Sequence, residues 1–347
     1  MGETVFYLIR HAEAEGNLYR RIHGHYDSDL TKNGLRQVEA LRRRFSDVRL
    51  DAVYSSDLVR TIKTARAVAD GKGLEIRTDP RLREIGVGAW EDHPFGELFH
   101  FYPKEMERFN HAPEKWRSPE GAENYRSATK RFLSALRSIA DEHPDSAVAV
   151  VTHGTVLNWT VYSLFPDAAN VHSDNTAVTR LRFDGSWRLD YLSDNSHVSP
   201  EISTLGKQRW WRNDGTRDQN IWIQPYEDQI DWYLELCDDT VPVSTMAVIF
   251  FAMLDDRPIG LLQLDPLRDS REGVGVIDDL HVIESLRRQT FATQTLGEAV
   301  SYYRAQGRHT LRIYLPEEKH SAIPFLTSVG FSERVNGIFE KSIQVSL

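Results

Sequence analysis

Short apolar runs alternate with amphipathic stretches over the first two hundred residues. The run TVFYLI (4–9) is continuously apolar, as a strand buried on both faces of a parallel sheet must be. Residues 31–45 carry apolar positions at helical spacing, which predicts a helix with Leu35, Val38, Leu41 and Phe45 on one face and Thr31 as its N-cap. A strand over 51–55, a helix over 58–69 and a strand near 74–77 follow. A helix ending near Ala140 then precedes the buried-strand run AVAVVT and the helical TVLNWTVYSLF. Strands alternating with helices predict an α/β fold, with a mostly parallel sheet covered by helices on both faces. The segments TRLRF and SWRLDYL predict a hairpin or edge that closes this unit near His197.

Beyond Ser199 the periodicity stops. The stretch STLGKQRWWRNDGTRDQ is rich in turn formers, which places a linker at 201–220, with Trp210 and Trp211 expected to dock it on a domain. A second unit over 221–347 then shows a helix (226–236), strands over 245–254 and 258–264 joined by the turn DDRP, and a strand at 275–283. A helix over 286–306, a strand at 310–315 and a short helix through Phe325 complete it. At 347 residues the chain exceeds one ordinary core, in keeping with two domains, 1–200 and 221–347.

Charge and cysteine content remove several classes of function. With 42 basic and 51 acidic residues the net charge is -9, which argues against a non-specific grip on nucleic acid. A small anion remains allowed, because a few arginines in a cleft can outweigh a distant negative surface. The single cysteine, Cys237, excludes an internal disulfide and a thiolate zinc site. No apolar stretch approaches a membrane span and the chain opens without a basic-then-apolar leader, so a cytoplasmic protein with no membrane partner is expected.

Candidate chemistry sits at the strand ends. Arg10 and His11 close the first strand, and His153 holds the same place after AVAVVT. Open α/β sheets bind ligands outside the carboxyl ends of their strands, so the two histidines can face one cleft. The dipeptide alone proves little: Arg308-His309 repeats it in a helix-to-strand connection that needs no functional explanation.

The blocks LIRHAEAEGN, GHYDSDLTKNG, YSSDLVRTIKTA, LREIGVGAWED and VAVVTHGTV, in this order and spacing, resemble the histidine phosphatase superfamily, of phosphoglycerate mutase-like fold. Ala12 stands where that family more often has glycine. The resemblance implies that His11 attacks phosphorus, that Arg10 and Arg60 hold phosphate oxygens, and that His153 supports the transferring group. It makes Glu84 the acid, which needs a raised pKa from partial burial or substrate charge, and lines the pocket with Asn17, His23 and Gly24. It implies a small phosphorylated substrate and neither metal nor cofactor for this step. The segment IGVGAWED after Glu84, the single Arg117 after Trp116, and Glu123 with Asn124 where phosphatases carry serine point to a metal-independent phosphomonoesterase. A phosphoglycerate mutase-type phosphotransferase is the alternative. An insertion carrying Phe95, Phe99, Phe101, Tyr102 and Phe109 is expected to cap the pocket.

From about Gln224 onward the order of elements resembles the GNAT-type acetyltransferases. By that resemblance Arg288, Gln289 and the backbone of Thr290, Phe291, Ala292 and Thr293 would cradle the pyrophosphate of acetyl-CoA or CoA. Thr290 and Ala292 replace the family's two glycines, and Leu326 stands where the pattern has its tyrosine acid. These departures favour a degenerate module used for ligand sensing, homodimer formation or protein docking. A bifunctional phosphatase/N-acetyltransferase is the competing expectation.

Overall fold

The computed structural model describes residues 2–168, 172–208, 219–237 and 246–347. Trp210 and Trp211, and half of the expected linker, lie outside the described residues. The first sheet contains β1 (Thr4–Arg10), β2 (Ala52–Ser55), β3 (Ile76–Thr78), β4 (Ala147–Thr152), β5 (Val178–Phe183) and β6 (Trp187–Asp194) in the order β3-β2-β4-β1-β5-β6. The first four run parallel and the hairpin β5–β6 adds antiparallel to β1. Central β1 and β4 pair from Val5↔Ala147 to Arg10↔Thr152, which brings His11 and His153 out side by side.

Helices cover both faces. On one, Val38, Leu41 and Phe45 of α2 (Lys32–Phe45) and Ala65 and Val68 of α3 (Val59–Ala69) pack on Ile9, Val53, Ala149 and Val151. On the other, Phe132 and Leu136 of α6 (Tyr125–Glu142) and Leu157 and Trp159 of α7 (Gly154–Leu164) cover Phe6, Leu8, Val148 and Val150. Thr31 caps α2 as expected, its hydroxyl accepting from Gly34 N at 2.9 Å. Leu35 departs from expectation and is 57% exposed. Gln37 is buried instead, because its amide serves Glu13 N at 2.7 Å, Ile202 O at 2.7 Å and the Thr204 hydroxyl at 2.9 Å. Residues 202–204, inside the expected linker, are thus hydrogen-bonded into the first unit. The insertion forms α4 (Phe95–Phe101) and α5 (Pro103–His111), with Leu98, Met106 and Phe109 packed on Trp90, Trp116 and Trp159.

The second sheet runs β12-β13-β11-β10-β9-β8-β7, from β7 (Trp222–Pro225), β8 (Val248–Leu254), β9 (Arg257–Asp265), β10 (Val274–Val282), β11 (Thr310–Tyr314), β12 (Ser332–Val335) and β13 (Ile338–Ser342). Strands β7, β12 and β13 were not foreseen, being short and without an apolar run. A helix α8 (Ile230–Leu236) covers one face, while α9 (Phe291–Ala305) covers the other and α10 (Ile323–Ser328) adds to its core. Helix α9 begins five residues later than expected because Arg288 (φ 64°) and Thr290 (φ 71°) are left-handed and interrupt it. Among the described residues no helix is long and apolar enough to cross a membrane.

The two units share a packed face. Tyr19 of the short helix α1 (Glu15–Tyr19) is 2% exposed within the second unit's core. Gly297 of α9 permits this approach: a Cβ there would stand 2.6 Å from that of Tyr19. Arg21 bonds Asp92 at 3.0 Å and Glu298 of α9 at 2.9 Å, and Ser301 of α9 donates to Asp92 at 2.6 Å. On the cap, His100 stacks on Trp222 at 4.7 Å. Phe101, expected over the pocket, lies 5.5 Å from the same indole.

Candidate active site

Strand β1 ends by handing Arg10 and His11 to the cleft, and β4 ends at His153, the N-cap of α7. The imidazole rings of His11 and His153 lie 5.2 Å apart, both buried. The Nδ1 of His11 stands 2.7 Å from the carbonyl oxygen of Ala12. A carbonyl only accepts, so Nδ1 carries the proton and Nε2 keeps its lone pair. Burial, with Arg60 and Arg10 adding, holds His11 well below the usual histidine range, so at neutral pH it is an uncharged imidazole.

Two arginines supply positive charge. Arg60 is 2% exposed and donates to the carbonyls of Tyr26 at 2.9 Å and Gly24 at 2.8 Å. Burial lowers it to about 10, so it remains cationic at neutral pH. Gly24 has φ 53°, a backbone state that glycine tolerates without the strain a side chain brings. Arg10 bonds the carbonyl of Ser173, and its buried Nε has no hydrogen-bond partner among the described residues. Desolvation lowers Arg10, opposed by Asp174 and Glu84.

His153 Nε2 lies 3.0 Å from the Ser56 hydroxyl, and its Nδ1 has no partner among the described residues. With the hydroxyl donating to Nε2, Nδ1–H becomes a donor for an oxyanion. Burial comes first in holding His153 well below its usual range, followed by Arg60. Glu84 faces these groups from the loop after β3. Its carboxylate accepts from Val156 N at 2.7 Å, Thr155 N at 3.0 Å and Ile85 N at 3.0 Å, which fixes it at the start of α7.

The three remaining expected residues lie on the same rim. Asn17 accepts through Oδ1 from Ala14 N at 3.1 Å and from Asn175 at 3.3 Å, which leaves its NH₂ to reach a ligand. His23 is buried, 2.9 Å from the Ser28 hydroxyl, and burial followed by Arg60 holds it well below its usual range. The structure therefore brings Arg10, His11, Asn17, His23, Gly24, Arg60, Glu84 and His153 to one cleft.

Sequence reading missed the residues that hold this set in place. Arg131 donates to Glu123 at 2.8 and 2.6 Å and to the carbonyls of Arg81, Arg83 and Glu84 at 2.7, 3.0 and 3.0 Å, so it fastens the loop bearing Glu84. Asn175 donates to the His11 carbonyl at 2.9 Å. The carbonyls they hold stand more than 45 positions away in the chain, and neither residue carries a local pattern that could have marked it. Among the described residues, no group of three or more His, Cys, Asp and Glu is placed to hold a metal ion.

In the second unit, β10 and β11 pair only over Val274–Ile277 and Thr310–Ile313. Past that point they border a cavity of about 640 Å³ that includes Asp265, Asp278, Asp279, Leu326 and Tyr314. Leu326 is buried, and the Tyr314 phenol donates to Asp269 at 2.5 Å. Residues 287–290 are exposed ahead of the fifteen-residue helix α9, a position open to a pyrophosphate.

A family model, "Histidine phosphatase superfamily (branch 1)", matches residues 6–195, and a second, "Acetyltransferase (GNAT) family", matches 209–331. A probable phosphoglycerate mutase, GpmB, of Yersinia pestis (strain Pestoides F) is 32% identical over 210 residues, 57% of this chain and 97% of its own. Among solved structures, Bacillus stearothermophilus YhfR is 34% identical with TM-score 0.53, over 56% of this chain and 98% of its own. A mycobacterial glucosyl-3-phosphoglycerate phosphatase, at 22% identity and TM-score 0.51 over 56% of this chain and 100% of its own, shares the fold. With more than half its length matched, and His11, Arg10, Arg60, Glu84 and His153 in one cleft, the chain belongs to the histidine phosphatase superfamily.

Proposed function

We propose that the first domain, over residues 1–200, hydrolyses a small phosphomonoester through a phosphohistidine on His11, without a metal. The observation that carries this reading is the Nδ1–H···O bond to Ala12, which presents an uncharged Nε2 beside Arg10, Arg60 and His153. In the first step Nε2 attacks phosphorus, the N–P bond forms and the P–O ester bond breaks. Glu84 gives its proton to the departing oxygen, so the alcohol leaves neutral. The arginines and His153 Nδ1–H hold the three equatorial oxygens, whose charge is highest in transit. In the second step Glu84 takes a proton from water, the oxygen attacks phosphorus and the N–P bond breaks. Inorganic phosphate leaves and His11 returns to its starting tautomer.

Phosphoglycerate mutase-type transfer is the second reading, favoured by the 32% identity to GpmB. It uses the same first step and returns the phosphoryl group to a sugar-acid hydroxyl instead of water. Against it, Trp116 is packed on Trp90, Phe109 and Trp159, and the single Arg117 after it is exposed. For the second domain, over 221–347, Arg288, Gln289 and the 290–293 backbone would hold the pyrophosphate of an acyl-coenzyme A. When bound, that group supplies an activated thioester. Leu326 is buried and apolar where the pattern has its tyrosine acid, and Tyr314 is committed to Asp269, which supports a binding module.

The deciding experiment is hydrolysis of p-nitrophenyl phosphate by the wild type and by His11→Ala with a chelator present. Turnover and an acid-labile phosphoprotein in the wild type, both lost in the variant, are expected. Interconversion of phosphoglycerates without phosphate release would select the mutase reading.

A further inference from the structure

Helix α9 belongs to the second domain, yet one of its side chains reaches two supports of the phosphoryl pocket. Arg304 donates to Glu15 Oε2 at 2.6 Å and to the carbonyl of Ile343 at 2.6 Å, and its guanidinium lies beside the Tyr26 phenol. Glu15 is 4% exposed, and its ion-pair partners among the described residues, Arg304 and Lys341 (3.8 Å), both come from the second domain. Arg304 is the nearer of the two, and a buried carboxylate that loses its close counter-ion is strongly destabilised. The position of α1, and with it Asn17, therefore depends on a residue almost three hundred positions away.

The second contact leads to the opposite side of the cleft. Tyr26 and Gly24 supply the two carbonyls that orient Arg60, so the loop whose Tyr26 phenol lies beside Arg304 is the loop that aims the phosphate-binding guanidinium. From Glu15 the line runs through α1 to Asn17, whose Oδ1 meets the Asn175 amide that also bonds the His11 carbonyl. One arginine thus braces both walls of the pocket.

We propose that Arg304 is a positioning residue for the phosphoryl site, and that the second domain is a working part of the first domain's active site through it. This rests on the phosphotransfer reading above. Removing Arg304 lets α1 and the 24–26 loop shift, and an ångström of misplacement costs on the order of a hundredfold in rate.

The test uses the full chain and two probes, p-nitrophenyl phosphate for turnover and orthovanadate, a five-coordinate phosphoryl mimic, for direct binding by calorimetry. Arg304→Met is expected to lower kcat/KM by about ten- to a hundredfold and to weaken vanadate binding. Tyr26→Phe, which keeps the ring and the carbonyl, is expected to lose several-fold, and Arg304→Lys to fall between Met and wild type. Lys32→Met removes a different interdomain bond, Lys32 Nζ to Thr327 O at 3.2 Å, and is expected to match the wild type in both readouts. Wild-type kinetics and vanadate affinity in Tyr26→Phe and Arg304→Lys would overturn the proposal, even if Arg304→Met fails to fold. Losses of equal size in Lys32→Met would also overturn it, because any interface damage would then suffice. A wild type that binds vanadate in an Arg304-dependent way but hydrolyses no ester would sink the hydrolase reading alone; one that neither binds nor turns over would sink both.

Discussion

Each domain offers a site where two parallel strands end, paired to their tips in the first and parted in the second, and the two sites are furnished differently. Around β1 and β4 the first domain gathers two cationic arginines, two neutral histidines and a carboxylate, each held by named backbone or side-chain partners. Around β10 and β11 the second domain has a cavity of about 640 Å³ bordered by Asp265, Asp278 and Asp279, with Leu326 in its wall. The start of α9 is reached through two left-handed residues that carry side chains. Shared strand geometry therefore provides a place for a ligand and nothing more; the side chains and what orients them decide whether chemistry follows.

Four changes would break or sharpen that contrast. The largest effect is expected for Glu84→Gln, which keeps the three backbone bonds to Oε1 and Oε2 only in part and cannot transfer a proton. A loss of about a hundred- to ten-thousandfold in kcat with alkyl phosphates, and less with p-nitrophenyl phosphate, is expected. Equal losses on both esters would remove Glu84 from the acid role.

Acid should act next, through the first pocket. Burial, as the first cause, holds His11, His23 and His153 below their usual range, and brings His197 down to about 4. Above pH about 6.5 both folded and unfolded chains leave these rings neutral and the full stability is present. As the pH falls below that value the unfolded chain takes protons that the folded one refuses, so stability drops by up to about 1.4 kcal/mol per pH unit for each ring. Urea unfolding at pH 7.5, 6.5 and 5.5 measures this, and a flat profile would show that the rings are not kept neutral.

Arg131→Met comes third. It strips Glu123 of its ion-pair partner and removes a donor from the carbonyls of Arg81, Arg83 and Glu84, of which the last keeps His25, at an expected cost of about 2 kcal/mol and a several-fold fall in kcat/KM as the Glu84 loop loosens. Reduced melting temperature with unchanged kcat/KM would limit Arg131 to a structural role. The smallest effect belongs to the second domain. Thr290→Gly relieves a left-handed residue at φ 71° and should stabilise the chain by about 1 kcal/mol. Calorimetry with coenzyme A then asks whether the opened backbone binds more tightly. Lower stability of this variant would show that the Thr290 hydroxyl, 3.3 Å from Gln294, outweighs the backbone strain.

The amino-acid order by itself determined a good deal. The apolar runs 4–9 and 147–152 predict buried neighbouring strands, and the motif blocks that resemble the phosphatases carry seven of the eight pocket residues that the structure gathers, with His23 one position ahead of the second block. These features are local, since a strand end, a cap and a motif can be read within a dozen residues. What tertiary structure alone decided depends on partners far apart in the chain. The proton on His11 Nδ1 follows from the placement of one carbonyl, and Leu35 gave way to Gln37 because residues 202–204 return to meet its amide. Arg131 looks in sequence like any solvated helix arginine until Glu123 and the carbonyls of 81–84 surround it. Arg304 looks the same until Glu15 is buried against it. Burial and charge pairing are properties of the assembled fold, because they depend on which surfaces exclude water together, and no short window of sequence contains both surfaces.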